Sequence, residues 1–256
     1  MTGIVIGVDG SEGAASALRF AAREAQLHGW DMTAVLAWGF LSQYQNDLAA
    51  QFDPDYSQHE AGDALRSYLE RALGPDCAAT IERRAVCDLP TGAPLDATGD
   101  ADLLVVGARG LGGFKALLLG SVSQHCLHHT TCPIAIVRAV DRPTGAETTM
   151  ERIVVGVDGS RTSRQALRWA VEEARLRQAS LQVVDGVDPS GLPQPIERIA
   201  YLGNAASGII ATAKGAALVV IGSRGLGGFS RLLLGSVGHH LAHHAPCPVV
   251  IIPPGD

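Results

Sequence analysis

The chain has 256 residues, 46% of them hydrophobic and only 18% charged, enough apolar material for a real core and too much for disorder over most of its length. Its net charge of −6 argues against nonspecific nucleic-acid binding, which needs a dense positive surface to displace counterions, although residues 1–150 carry 10 basic and 18 acidic side chains and residues 151–256 carry 10 and 8. No apolar run approaches the roughly 20 residues that span a bilayer, the start lacks a secretory signal, and the five cysteines make no paired framework, so a reduced, cytoplasmic protein without a membrane partner is expected.

In chain order, Gly3 to Asp9 is a short apolar run of the kind buried on both faces of a sheet. Gly10-Ser11 supplies turn and N-cap chemistry, and Ala17, Leu18, Ala21 and Ala25 form the stripe of a helix that Gly29 stops. Thr33 to Trp38 reads as a second strand, Gly39 to about Gln58 as loop, and Ala61 to Leu73 as a second helix ending at Gly74-Pro75. Thr80 to Cys87 is a third strand, Ala93 to Thr98 a short helix, Leu103 to Val106 a fourth strand and Pro133 to Val140 a fifth. Strands alternating with helices imply parallel pairing and a doubly wound α/β sheet, whose ligands sit beyond the carboxyl ends of the strands at the switch point. If the first and fourth strands are neighbours there, Asp9 and Gly107 converge on one pocket.

The pattern restarts at Ile153 to Ser160 after a polar linker. Domains are expected over 1–140 and 152–256, joined by residues 141–151. Asp9 and Asp158 are offset by 149 positions but Gly107 and Gly222 by 115, so the second copy lacks 34 residues. The loss falls where Asp188 to Pro195 replaces the loop and second helix, and one sheet face of that copy is expected to have lost its cover.

One pattern occurs in both copies at constant spacing. Gly107-Ala108-Arg109-Gly110, nine residues, then Gly120-Ser121 recurs as Gly222-Ser223-Arg224-Gly225, nine residues, then Gly235-Ser236. Backbone N–H groups of a glycine turn, joined to the positive end of a helix, make an anion site. The bland alternative is plain turn chemistry, which constant spacing beside a 34-residue loss makes the weaker account. Asp9 and Asp158 either cap the helices that follow or face the ligand, and the two roles can coexist.

With Gly-Val-Asp-Gly-Ser after the first strand, the doubled glycine cradle, and Cys-Pro-Ile and Cys-Pro-Val before the last strands, the chain resembles the universal stress protein family, as a tandem member of its ATP-binding branch. The resemblance implies two doubly wound parallel-sheet domains of Rossmann-like architecture, the second lacking one helix. It implies an adenine nucleotide, ATP with or without Mg²⁺, whose phosphates and ribose lie on Gly107, Gly110, Gly120, Ser121, Val122 and Ser123, with Asp9 beside ribose and phosphates and Ala37 offering backbone to adenine. Val8, Gly10 and Val106 complete that set. The matching second-copy positions are Asp158, Gly186, Gly222, Gly225, Gly235, Ser236 and Val237. Gly238 stands where Ser123 gave a hydroxyl, and the missing segment opens the adenine side, so the first copy is the better expected site. Lys115, Arg109 and Arg224 are further candidates to touch phosphates.

His125, His128, His129 and Cys132, repeated as His239, His240, His243, His244 and Cys247, have a spacing that can bind zinc, but imidazoles at a helix C-terminus also suit the helix dipole, and no metal is assigned. Neither a Gly-x-x-x-x-Gly-Lys-Ser/Thr loop nor a Gly-x-Ser-x-Gly elbow is present, so binding is favoured over turnover. The expected role is a stress or dormancy regulator whose occupancy is read by a protein partner. A slow ATPase or nucleotidyl-transferring enzyme on the same scaffold is the alternative. The apolar last strand of each copy is an edge in the family's strand order, so the two copies are expected to pack through these strands. A homodimer or partner contact is expected near residues 187–196.

Overall fold

Ile4, Val5 and Ile6 are buried in the strand β1 (Gly3–Val8), as an apolar run without alternation requires when both faces of a sheet are covered. A computed structural model describes residues 3–39, 57–111, 118–139, 151–185, 197–200, 204–226 and 234–255. The chain divides into two units, Met1–Ala139 and Val140–Asp256.

In the first unit β1 leads to α1 (Glu12–His28), β2 (Asp31–Trp38), α2 (Gln58–Leu73), α3 (Pro75–Ala79), β3 (Glu82–Cys87), α4 (Ala93–Asp96), β4 (Leu103–Gly107), α5 (Ser121–His129) and β5 (Ile134–Val137). All pairings are parallel, in the order β3-β2-β1-β4-β5. Chain order therefore reverses between β1 and β4, where Gly7 is the register partner of Val106. The carboxyl ends of these two strands open the crevice expected of such a sheet.

Ser11 caps α1 by accepting from the Ala14 N–H at 3.1 Å, and Gly29 ends it in the left-handed region at φ 68°. Ala14, Ala17, Leu18 and Ala21 form its buried stripe against β1 and β4. The first turn comes so close to the end of β4 that a Cβ on Gly107 would lie 2.8 Å from the Gly13 carbonyl carbon. α2 starts three residues before the apolar pattern does, at Gln58, because Ser57 and Glu60 form a reciprocal capping box that hydropathy does not register. Leu65 and Leu69 bury its inner face. Tyr68 reaches from α2 to the start of α1 and donates to the Ser11 carbonyl at 2.5 Å. Burial, then the carboxylates of Asp9 and Glu12, raise the pKa of this phenol well above its usual range and keep it a donor.

The second unit repeats the scheme with β6 (Arg152–Val157), α6 (Arg161–Arg177), β7 (Ser180–Asp185), β8 (Glu197–Ala200), α7 (Ala205–Thr212), β9 (Leu218–Gly222), α8 (Ser236–His244) and β10 (Val249–Ile252), in the parallel order β8-β7-β6-β9-β10. Residues 186–196 join β7 to β8 where 39–81 join β2 to β3, too short a link for the usual helical crossover. The expected bare sheet face is not found at β7: Leu181, Gln182, Val183 and Val184 are all buried, and both α6 and α7 pack on the strand. The homodimer or partner contact expected near residues 187–196 falls outside the described residues. At the 115-residue offset α7 overlaps the counterpart of the short helix expected at Ala93 to Thr98, and Asn204 caps it through the Ala206 and Ser207 N–H groups. Residues 40–56, 140–150, Gly186 and Asp188 to Pro195 lie outside the described residues. Among those described, no helix is long and apolar enough to cross a membrane.

Tyr68→Phe removes the tie between α2 and α1. The Ser11 carbonyl keeps its helical partner, the Ala15 N–H, so the expected loss is about 1 kcal/mol, read as a lower urea midpoint at unchanged slope.

Candidate functional site

After β1 the chain turns through Asp9 and Gly10, and Gly10 takes φ 86°, a left-handed conformation that a side chain would strain. Asp9 does not cap α1, since Ser11 does so. Its Oδ1 accepts from the Ser11 N–H at 3.0 Å and its Oδ2 from the Leu111 N–H at 2.9 Å, across 102 positions of sequence. The exit of β1 is thereby clamped to the glycine turn that follows β4.

That turn is closed by the backbone. The Ala108 N–H donates to the Val137 carbonyl at 2.6 Å, and the Ala108 carbonyl accepts from the Gly120 N–H at 2.8 Å. Gly120 is the N-cap of α5 and brings no side-chain bond, and the first helical bond from this end is Gln124 N–H to the Gly120 carbonyl at 3.0 Å. By helix geometry the N–H groups of Ser121, Val122 and Ser123 have no intrahelical acceptor and point out of the helix start. The helices α1, α2, α6 and α7 are instead capped by Ser11, Ser57, Ser160 and Asn204.

Among the residues expected at the site, Gly107, Gly110, Gly120, Ser121 and Val122 come together at this helix start, with Asp9 and Gly10 on the facing turn. Val8 and Val106 are buried, in β1 and β4. Ala37 lies at the carboxyl end of β2, half-buried, paired with Val86. Ser123 departs from its expected role as a ligand hydroxyl. It is 3% exposed, and its Oγ donates to the Gly107 carbonyl at 2.6 Å, bracing the turn from behind.

The second cradle repeats the frame. Asp158 Oδ1 accepts from the Ser160 N–H at 3.0 Å and Oδ2 from the Leu226 N–H at 2.9 Å, and the Gly235 N–H donates to the Ser223 carbonyl at 2.7 Å. Gly222, Gly225, Gly235, Ser236 and Val237 hold the matching places, and α8 also starts on a glycine without a side-chain cap. Burial alone would raise the Asp158 pKa, but the hydrogen bonds from Ser160 and from the Leu226 backbone outweigh it and hold the carboxyl below its ordinary value. The bracing differs. Gly238 stands in the place of Ser123, and a Cβ there would lie 2.6 Å from Leu234 Cδ1. The turn is held instead from α6, where Ser160 Oγ donates to the Arg224 carbonyl at 3.1 Å and Thr162 Oγ1 donates to the same oxygen. Gly186 and Lys115 lie outside the described residues.

The histidines pair along their helices, His125 stacked on His129 at 4.1 Å and His239 tilted against His243 at 4.4 Å between ring centroids. Among the described residues, no three ligand atoms of these histidines and their neighbouring cysteines converge on one point. Burial pushes the Cys126 thiol up to about 12 and raises that of Cys132 as well, so both are buried thiols in this structure. Two residues that sequence reasoning passed over stand beside the first cradle: Tyr68, already described, and Arg138, whose guanidinium donates to the Leu118 carbonyl at 3.2 Å. Aligning the copies would have flagged the second, since Arg138 falls opposite Pro253.

The pattern of the Universal stress protein family matches residues 1–138, 149–207 and 195–253. The chain belongs to this family. Its second copy is matched in two overlapping pieces, beside the place where the copy is shortened. A universal stress protein of Mycobacterium tuberculosis H37Rv is 31% identical over 97% of this chain and 95% of its own length, and one from Mycolicibacterium smegmatis is 28% identical over 98% and 97%. The crystal structure of a universal stress protein from Archaeoglobus fulgidus shares the fold, with a TM-score of 0.73 at 20% identity over 99% of this chain and 98% of that one.

Because the folded pKa of Asp158 is depressed, its contribution is present at neutral pH and is lost as pH falls below about 4 through that lowered value. Thermal melts between pH 7 and 3 are expected to show a shallower acid loss in Asp158→Asn than in the parent chain.

Proposed function

We propose that the first cradle binds an adenine nucleotide, ATP carried with Mg²⁺, and that the occupied and empty forms differ in affinity for a protein partner, making the chain a cytoplasmic regulator in stress or dormancy. The observation that carries this reading is the start of α5: a helix end without a side-chain cap, whose first three N–H groups have no acceptor within the helix, set against a glycine turn that Asp9 clamps. A Cβ on Gly120 would meet the Ala108 carbonyl oxygen at 3.6 Å and the Gly110 nitrogen at 3.7 Å, ordinary contacts, so packing of the described residues does not by itself demand glycine there. Ser121 and Val122 would hold phosphate oxygens through backbone N–H groups, and the Asp9 carboxylate would accept from ribose hydroxyls or face the cation. The nucleotide would supply charge and shape to this end of the sheet, and the chain's own residues would bind and orient it.

In the first unit α2 stands between β2 and β3 and ties to Ser11 through Tyr68. The second unit has only residues 186–196 at that place, which supports the first cradle as the stronger site. Asp9 already accepts two backbone N–H bonds, an arrangement that suits holding a ligand better than orienting a water for hydrolysis.

The first test is whether purified protein retains nucleotide, read by absorbance and mass, followed by calorimetry with ATP and Mg²⁺. Gly120→Ala places a methyl over the turn N–H groups with no clash in the protein, so it should weaken ATP binding by at least about tenfold while the melting temperature holds. Gly235→Ala in the second cradle should change total binding less. Unchanged affinity in Gly120→Ala would sink the cradle assignment, and multiple-turnover phosphate release lost in Asp9→Ala would move it to an ATPase.

A further inference from the structure

β5 ends at Val137, the register partner of Gly107, and the Ala108 N–H donates to the Val137 carbonyl at 2.6 Å. The next residue, Arg138, therefore stands one strand over from the first glycine of the cradle and one step beyond it. Its side chain turns back toward the helix start, for the guanidinium donates to the Leu118 carbonyl at 3.2 Å, two residues before Gly120. Arg138 is half-buried, and burial first, then the positive charge of Arg109, lower its pKa from the ordinary value.

The glycine turn carries Arg109, exposed and near enough for its charge to act on Arg138, so one cradle is flanked by two arginines, one on the turn and one on the adjoining strand. Their mutual repulsion is unfavourable, and an anion carrying several charges offsets it where a singly charged one does so weakly. The second cradle is built otherwise. Ile252 is the register partner of Gly222, the Ser223 N–H donates to the Ile252 carbonyl at 2.8 Å, and the residue that follows is Pro253. It keeps Arg224 on the turn but places no cation at the position of Arg138.

Resting on the nucleotide reading above, we propose that Arg138, acting with Arg109, selects for the polyphosphate chain. The N–H groups that open α5 take one phosphate, and the two guanidinium groups take the charge beyond it. The first cradle then prefers nucleoside triphosphates over monophosphates and cyclic monophosphates, and the second, with proline in that place, discriminates less. Arg138 is a specificity-determining residue in this scheme, and its bond to Leu118 aims it.

The test is calorimetry on the full chain with ATP, AMP and inorganic tripolyphosphate as probes. Arg138→Gln should lower affinity for ATP and tripolyphosphate by about tenfold while AMP affinity stays within about twofold, and Arg138→Lys should recover most of the loss. Retained AMP binding also reports that the cradle is folded. An ATP to AMP ratio unchanged in Arg138→Gln overturns the proposal, as does an equal fall for both nucleotides, which would make Arg138 a brace for the loop and no more. A parent chain that binds neither ATP nor AMP overturns the nucleotide reading itself and this proposal with it. A parent that binds both, with the ratio surviving the substitution, removes the proposal alone.

Discussion

The carboxylate of Asp9 joins two turns 102 residues apart, and most of what is distinctive about the first unit depends on that join. It works only because β1 and β4 are neighbours with their carboxyl ends together, which follows from the reversal of chain order between them. It also needs bare backbone. A Cβ on Gly110 would run into Asp9 Oδ2, a Cβ on Gly107 would run into the first turn of α1, and a Cβ on Gly13 would run into the Arg109 carbonyl. Three glycines therefore permit one clamp, and the clamp brings the start of α1, the glycine turn and the start of α5 to the same end of the sheet.

The second unit shows which parts of this arrangement can change. Asp158 repeats both hydrogen bonds at matching distances, so the clamp is kept. The brace behind the turn is not. In the first unit it comes from the helix after the turn, through Ser123 to the Gly107 carbonyl. In the second it comes from the helix before it, where Thr162 stands in the place of Gly13 and joins Ser160 on the Arg224 carbonyl. With the hydroxyls supplied from α6, position 238 is released to glycine and Leu234 packs against it. The second unit has no Tyr68, and the carbonyl matching that of Ser11, on Ser160, accepts instead from the Ser163 hydroxyl at 3.1 Å.

Much of this was legible in the sequence, for identifiable reasons. Apolar runs gave β1, β4, β6 and β9, because strands buried on both faces need no alternation. The duplicated glycine spacing survives in one dimension because a turn and the helix after it are local. What could not be read is mostly non-local. Ser123 looked like a ligand hydroxyl because its sequence neighbours open a helix, yet its position on the first turn faces the Gly107 carbonyl. The bare face expected beside β7 rested on counting helices, whereas coverage depends on how far α6 and α7 extend over the strand. Arg138 went unnoticed because it follows a strand and belongs to no motif; only the register of β5 on β4 brings it to the cradle.

Two kinds of glycine separate at the cradles. Gly107 and Gly222 are required by the protein, since each lies against the first turn of a helix that leaves no room for a methyl group. Gly120 and Gly235 are not required in that way. Their φ angles are −80° and −76°, open to any residue, and the nearest atoms to a Cβ stand at 3.6 Å and 3.5 Å. A serine or aspartate would fit the backbone and would cap the helix, a gain of about 1 kcal/mol over a residue with no capping side chain in general, though less over glycine. Both units forgo that bond, while α1, α2, α6 and α7 all have one. Folding alone accounts for glycine at 107 and 222, but at 120 and 235 it would accept a capping side chain. The glycines there leave the first turns of α5 and α8 without a side-chain cap, which is the feature the proposed nucleotide site rests on.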